Sequence, residues 1–533
     1  MDFLKYTAIV FLLILAVIVV LTTIWLSLAY KSAITPPENF LQTSDKDFEV
    51  VLHRDSMDEY LSCDKSMLRK NSYGLWELYA EGDAKERGTA MGKLYENLLY
   101  YQEQAFVNEI KKIIPSKKYL SFLRIPVFIL NRNATNHITN EYLEEIYGIS
   151  LSCSNDFNWI APPYLRQVNY HAAHDLGHLL QKYHFVGCTA FGLWDNNSVD
   201  GKMIVGRNFD FYVGEAFARN KVVAFYAPDS GYRFASITWA GMIGVLSGMN
   251  EKGLCVTLNA ADGNIKIKTA TPVSIVAREI LQYASNIEEA VAIAQKRKTF
   301  VSENFVISSA IDHKTIVMEK SPNSTTVYDD KLSRILVTNH FHNDKEVLSD
   351  SKYRYKILQQ LLDKKDSFDI ADVVSVLRNR YGLNGKDIGV CNEYAINQSI
   401  CHHSIIFKPE ELLMWVSTSP YQSGKYICYD LKKIFDKPDF SRDIDITEWA
   451  INADEEFMLV DYPNVLNYRE ISHSIQDAIR KKEKVAEDVL DKFISSNPNY
   501  YGTYQLLGDY YKSQKAPQKA SMYHSLAKER LPR

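Results

Sequence analysis

At Cys188 the chain changes its period. From there "CTAFGLW", "KMIVGRNFDF", "KVVAFYA", "YRFASITW", "GMIGVLSGM" and "LCVTLNAAD" follow as short runs rich in β-branched and aromatic residues, parted by Gly, Asp and Asn. Runs of that length between turn formers read as strands. Upstream, "AKERGTAMGKLYENLLYYQEQAFVNEIKKII" and "YHAAHDLGHLLQKY" space apolar residues at helical intervals, so 32–187 is expected to be mainly helical. Beyond the first strand block come the helical patterns "PVSIVAREILQYA" and "NIEEAVAIAQKR", then the strand runs "NFVISSAI", "TIVMEK" and "RILVTN". The helices "SKYRYKILQQLLDK" and "DIADVVSVLRNRYG" and the strands "HSIIFKP", "LLMWVST" and "KYICYDL" complete the series. Sheet, helices, sheet, helices, sheet predicts layered α+β packing rather than an alternating parallel fold.

The two ends differ from this middle. Tyr6 to Tyr30 carries no charge, and as a helix it spans about 37 Å, enough to cross a bilayer. It is longer than a signal-peptide core, although "SLA" at 27–29 resembles a cleavage site. Either form, anchor or signal, exports the rest of the chain, and the expectation is an anchored protein with its β-rich domain outside the cytoplasm. At the other end Tyr504, Leu507, Gly508, Tyr511, Ala520, Ala527 and Pro532 stand at tetratricopeptide (TPR) spacing, with His524 where that pattern prefers a large apolar residue. One such hairpin cannot bury its own face and is expected to pack on the main domain. The chain thus divides into 1–31 (anchor or signal), 32–187 (mainly helical), 188–435 (β-rich domain), 436–470 (connection) and 471–533 (TPR-like tail). A net charge of −4 gives no basic face for nucleic acid.

Cys188 follows a glycine and opens the first strand. A buried strand thiol is one explanation. The other is that the chain is cut before Cys188, which becomes a chain-terminal nucleophile. Free cysteine has a pKa around 8.5 and needs a base, and a terminal cysteine brings its own α-amino group, at about 7.7–8.0. Gly187, lacking a Cβ, suits the strained geometry of an attack by the thiol on the preceding carbonyl. The "DG" turn at 200–201 predicts a hairpin that returns Arg207, Asn208 and Asp210 beside Cys188. Arg207 and Asp210 are candidates to hold thiolate and ammonium, and Asn259, closing "LCVTLN", to donate to an oxyanion. Six other cysteines (63, 153, 255, 391, 401 and 428) have no metal spacing, and Cys391 with Cys401 is the plausible local disulfide if the compartment is oxidising.

"GCTAF", "VDGKMIVGRNFDF", "GMNEKGLCVTLNAAD", "VTNHF" and "SKYR" together resemble the N-terminal-nucleophile (Ntn) hydrolases of the choloylglycine hydrolase and acyl-CoA:6-aminopenicillanate acyltransferase type. "EGDAKERGTAMGK" at 81–93 looks like the propeptide of the acyltransferase branch. The resemblance runs from about 75 to 430 and implies an αββα sandwich, with 32–187 as propeptide or short chain. It implies self-cleavage between Gly187 and Cys188, Cys188 as nucleophile, Arg207 and Asp210 flanking it, and Asn259 as oxyanion donor. It also implies that Asn339 is a second active-site asparagine and Arg354 a late arginine. The activity implied is that of an amidase or acyltransferase acting on a small N-acyl amide or acyl thioester through an acyl-enzyme, without cofactor or metal. Cleaved chains are expected to stay together as a heterodimer. Phe191, Trp194, Phe209, Phe211 and Trp239 suit an apolar acyl chain, and the inserted "WDNN" is expected to reshape the substrate mouth.

Two rivals need other residues. His171, His174 and His178 share one helix face and suggest a zinc hydrolase, but no HExxH is present and one helix seldom closes a tetrahedral site. A membrane-tethered TPR scaffold without catalysis would need more repeats than one.

Overall fold

The computed structural model of the chain describes residues 15–533 except 16, 19, 32–34, 42–45, 55–58, 115, 117, 121, 123–127, 129–132, 173–174, 176–185, 262–269, 331, 345–348 and 437. Two sheets face each other. The seven-stranded one runs Arg334–Val337, Thr189–Leu193, Ile204–Asp210, Cys401–Lys408, Leu413–Ser417, Tyr426–Asp430, Asp445–Ile451. The eleven-stranded one begins with Val50–Arg54, Glu59–Cys63, Ser66–Lys70 and Trp76–Gly82 and continues through Val222–Pro228 to Thr325–Tyr328.

Side-chain alternation assigns the layers. Ala190, Val205, Ile405, Val416 and Ile427 of one sheet pack against Phe225, Ile237, Cys255, Val306 and Val317 of the other. The opposite parity faces helices. Phe191, Leu193, Ile204 and Ile406 meet Ser349–Leu362 and Ile370–Leu377, while Val222, Ala224, Val256 and Leu258 meet Ala84–Ile113, Asn140–Ser150 and Val273–Tyr283. The result is helix, sheet, sheet, helix.

Four strands stand where a mainly helical segment was expected. Trp76–Gly82 pairs in parallel with Val222–Pro228 over seven residues, so the segment before Cys188 is built into the sheet after it. Arg69 and Glu77 look solvent-facing in sequence, yet they are buried against each other at 2.7 Å, which hid the strand pattern. The seven-stranded sheet likewise outruns the expected edge at 435, since Asp445–Ile451 is its last strand.

The expected membrane helix at Tyr6–Tyr30 falls partly outside the described residues, and among those described no helix is long and apolar enough to cross a membrane. The anchor is therefore withdrawn, and with it the membrane partner and the membrane-anchored localisation. All seven cysteines are free. Cys391 and Cys401 are not joined; the Cys401 thiol donates to the His403 carbonyl at 2.9 Å instead.

In the tail, Tyr504, Leu507, Tyr511, Ala520 and Ala527 are buried between Tyr501–Ser513 and Pro517–Arg530. His524 fits at its unusual position because Gly508 opposes it; a Cβ there would lie 2.1 Å from the imidazole. The tail packs on the sandwich: Asn497 exchanges two hydrogen bonds with Val390, and the Tyr500 hydroxyl donates to Glu393 at 3.0 Å.

Helices Ala84–Ile113 and Asn140–Ser150 cross at glycines. A Cβ on Gly88 would meet the Glu145 carbonyl oxygen at 2.1 Å, and one on Gly148 would meet the Thr89 nitrogen at 2.5 Å. Backbone cannot rotate away as a side chain can, so Gly88→Ala should lower stability by about 1–3 kcal/mol. A urea midpoint equal to that of the parent protein would show that the helices part freely.

Candidate active site

The hairpin forms as the sequence predicts. Thr189 pairs with Asn208 and Ala190 with Arg207, and the Gly187 N–H donates to the Asp210 carbonyl at 3.0 Å. Parity sends Arg207 into the space between the sheets and Asp210 to the other face. Cys188 is fully buried. Arg207 Nη2 lies 3.7 Å from its Sγ, and the same guanidinium donates to the Leu246 carbonyl at 2.7 Å, to the Leu258 carbonyl and to Ser247 Oγ. Arg207 thus ties the thiol to the end of the facing strand, next to Asn259.

That strand end is held from the other side too. Asn339 Nδ2 donates to the Ala260 carbonyl at 2.7 Å, and Arg354 Nη2 donates to Asn339 Oδ1 at 2.9 Å. Arg354 Nη1 then reaches the Cys188 carbonyl at 2.7 Å, which closes a ring of contacts back on Cys188. Cys188, Arg207, Asn339 and Arg354 lie on this ring, with Gly187, Asp210 and Asn259 beside it. Asn259 is the member left unengaged: both its amide oxygen and its amide nitrogen are buried without a partner. A buried, unsatisfied amide costs roughly 1–3 kcal/mol, which suits a group reserved for a ligand.

Burial governs the protonation states. It pushes the Cys188 thiol up to about 11 against the opposing pull of Arg207, and the Asp210 carboxyl up to about 8 against Arg354 and Arg207. In the uncut chain the thiol is therefore protonated at neutral pH. Beyond Arg207, Ser247 Oγ lies 2.8 Å from His403 Nε2, and His403 lies 3.0 Å from His402. Burial lowers both imidazoles, His402 to about 3.

The missing Cβ of Gly187 makes room for Gln398, whose Oε1 would lie 2.6 Å from a Cβ there. Two expectations change. The "WDNN" loop sits at the far end of Thr189–Leu193, roughly 17 Å from Cys188 at about 3.3 Å per residue. There Asp195 bonds His313 and Ser333, so the loop does not border the thiol. His171 bonds the Gln167 carbonyl through Nδ1 at 2.7 Å and accepts from the Ile243 N–H through Nε2 at 3.0 Å, leaving no lone pair for a metal. His174 and His178 lie outside the described residues, and among the described residues no metal-holding cluster occurs.

Of the five aromatics, Phe211 and Trp239 line an apolar cavity with Leu99, Phe106, Phe217 and Met242. Phe209 stacks on Phe211, whereas Phe191 and Trp194 belong to separate cores. Residues 397–400, "NQSI", carry no sequence motif, yet Gln398 is in the site. Its Nε2 donates to the Gly187 carbonyl at 2.5 Å and lies 3.4 Å from Asp210 Oδ2.

Residues 196–418 match the family profile "Acyl-coenzyme A:6-aminopenicillanic acid acyl-transferase". An uncharacterized protein of Archaeoglobus fulgidus is 25% identical over 242 residues, covering 38% of this chain and 40% of its own length. Among solved structures, the N-acylethanolamine-hydrolyzing acid amidase ortholog of Caenorhabditis elegans is 18% identical with a TM-score of 0.33, covering 42% of this chain and 93% of its own. A variant of the conjugated bile acid hydrolase of Clostridium perfringens is 15% identical with a TM-score of 0.32, covering 49% and 95%. The matched stretch takes in the strands from Ile204–Asp210 to Leu413–Ser417, begins after Cys188, and makes this part of the chain similar to N-terminal-nucleophile hydrolases of the acyl-coenzyme A:6-aminopenicillanic acid acyl-transferase family.

Proposed function

We propose that this chain is a self-cleaving cysteine amidase or acyltransferase acting on linear N-acyl amides or acyl thioesters. Cleavage between Gly187 and Cys188 frees the α-amine of Cys188 as a base for its thiol. The thiolate attacks the acyl carbonyl, Asn259 donates to the developing oxyanion, and water or an amine resolves the acyl-enzyme. Arg207 and Asp210 hold thiolate and ammonium, while Asn339 and Arg354 fix the strand end and the Cys188 backbone. The observation that carries this reading is the unengaged amide of Asn259, next to the Leu258 carbonyl that Arg207 bonds while lying 3.7 Å from the Cys188 thiol. The apolar cavity beside Phe211 and Trp239 supports an apolar acyl chain. It draws Leu99 and Phe106 from before the cut and Phe217 and Met242 from after it, so the paired chains form it together.

Intact mass and N-terminal sequencing test the first half: the larger fragment should begin "CTAFG". The second half is tested on cleaved protein with N-acyl substrates of increasing chain length, by amine release. Asn259→Ala should lower kcat by roughly two to three orders of magnitude, about 3–4 kcal/mol of barrier. Full activity in that variant removes Asn259 from the mechanism. Cleaved protein that acts on neither amides nor thioesters overturns the proposed activity.

A further inference from the structure

The oxyanion of self-cleavage differs from that of turnover. It forms on the Gly187 carbonyl oxygen, and the Asn259 amide makes no bond there. Two other donors do: Gln398 Nε2 at 2.5 Å and Arg354 Nη1 at 3.3 Å. Arg354 is shared, since it also bonds the Cys188 and Glu393 carbonyls and Asn339. Gln398 is 2% exposed and packed so close to Gly187 that a Cβ could not be fitted between them. Its loop is held on both sides. The Asn397 N–H donates to the Asn379 carbonyl at 2.8 Å, and Asn397 Oδ1 accepts from the Ser399 N–H at 3.1 Å. Arg469, from the tail helix Tyr462–Lys481, donates to the Ser399 carbonyl and is fixed in turn by Glu215 and Tyr421.

We infer that Gln398 is a catalytic residue of the self-cleavage step, donating its amide N–H to the oxyanion on Gly187. The inference rests on the self-cleavage reading above. Cys188 Sγ bonds to the Gly187 carbonyl carbon, and the C=O electron pair moves onto the oxygen, where Gln398 and Arg354 hold it. Collapse re-forms the carbonyl and breaks the Gly187–Cys188 C–N bond. The thiol proton ends on the departing nitrogen, which becomes a free amine, and a thioester remains. Water then hydrolyses the thioester to the Gly187 carboxylate and the free Cys188 thiol. The two reactions at one nucleophile thus use different donors, Gln398 for maturation and Asn259 for turnover. The tail contributes by holding the Gln398 loop in place.

Full-length Gln398→Met and Gln398→Glu, beside the parent protein, test this by following cleavage with intact mass, with melting temperature as the control for folding. Methionine keeps the length but cannot donate, and cleavage should slow by roughly two to three orders of magnitude. Glutamate cannot donate while ionised. Its rate relative to the parent at the same pH should therefore be low near pH 8 and recover as the pH falls and the carboxyl takes up a proton. A role in packing alone predicts no such recovery. Gln398→Met cleaving at the parental rate, or Gln398→Glu showing no recovery, overturns the inference while self-cleavage itself stands. Failure of the parent protein to cut at Gly187–Cys188 overturns the self-cleavage reading and this inference with it.

Discussion

Cys188→Ala should remain a single chain of 533 residues and release no amine from any N-acyl substrate, whereas the parent should separate into two fragments. The expected loss is complete in both assays, because one atom serves both. Alanine cannot attack the Gly187 carbonyl, so the α-amine that later acts as base is never freed. Cys188→Ser separates the two requirements. An alcohol gives up its proton far less readily than a thiol, and this site already disfavours the anion: burial raises the thiol to about 11, and Arg207 opposes that only from 3.7 Å. The serine variant should therefore cleave slowly, and its amine release should lag behind its cleavage. The measurements are intact mass over days and amine release per cleaved chain. A Cys188→Ala protein that cuts itself at the same bond would sink the mechanism. Alanine protein that stays whole yet turns over substrate would sink the assignment of the nucleophile.

How far each residue can be read from sequence depends on where its reason lies. The hairpin of Thr189–Leu193 and Ile204–Asp210 was legible because two short β-rich runs flank a "DG" turn, and turn chemistry is a local signal. Arg207, Asp210 and Asn259 were legible because they ride on those patterned strands. Gln398 was not, since it sits in a loop and owes its position to Arg469 and Asn379, distant in sequence. The strands between 50 and 82 were missed for a related reason. Arg69 and Glu77 break the apolar alternation, and only their burial as a pair makes those runs interior. The edge strand Asp445–Ile451 has mostly half-exposed and exposed residues, so burial imposes little pattern on it. Residues whose partners are local announce themselves. Those whose partners are remote do not.

Removing the Glu145 carboxylate should loosen the two halves of the molecule more than any surface change. Glu145 is fully buried and accepts from Arg87 at 2.5 Å and from Arg278 at 3.1 Å. Arg87 and Glu145 precede the proposed cut and Arg278 follows it, so the triad spans the two cleaved chains. Arg278 is also boxed by aromatic rings, with its guanidinium 4.6 Å from Tyr226 and 4.5 Å from Phe234. Its other acceptors, the Gln282 amide oxygen and the Ile243 carbonyl, are neutral and leave its charge unbalanced if the carboxylate is lost. Breaking a buried pair from one side typically costs about 3–5 kcal/mol. Glu145→Leu or Glu145→Gln should therefore lower the stability of the uncut chain by that order. In the cleaved protein it should weaken association of the fragments by roughly two to four orders of magnitude. The parental fragments should stay together in high salt, which screens exposed charges but not this pair, and part in urea. Acid should act like the mutation. Burial pushes the Glu145 carboxyl up, but Arg278 and Arg87 outweigh it and hold the group below the ordinary value of 4.5. A depressed carboxylate stabilises the folded form above that value and loses its contribution as the pH falls through the lowered one. The parental urea midpoint should thus drop steeply on the acid side of 4.5, and the Glu145→Gln midpoint should drop less. Parallel acid curves for the two proteins, or fragments that stay paired in Glu145→Gln as tightly as in the parent, would show that the strand pairing of Trp76–Gly82 with Val222–Pro228 alone holds the halves together.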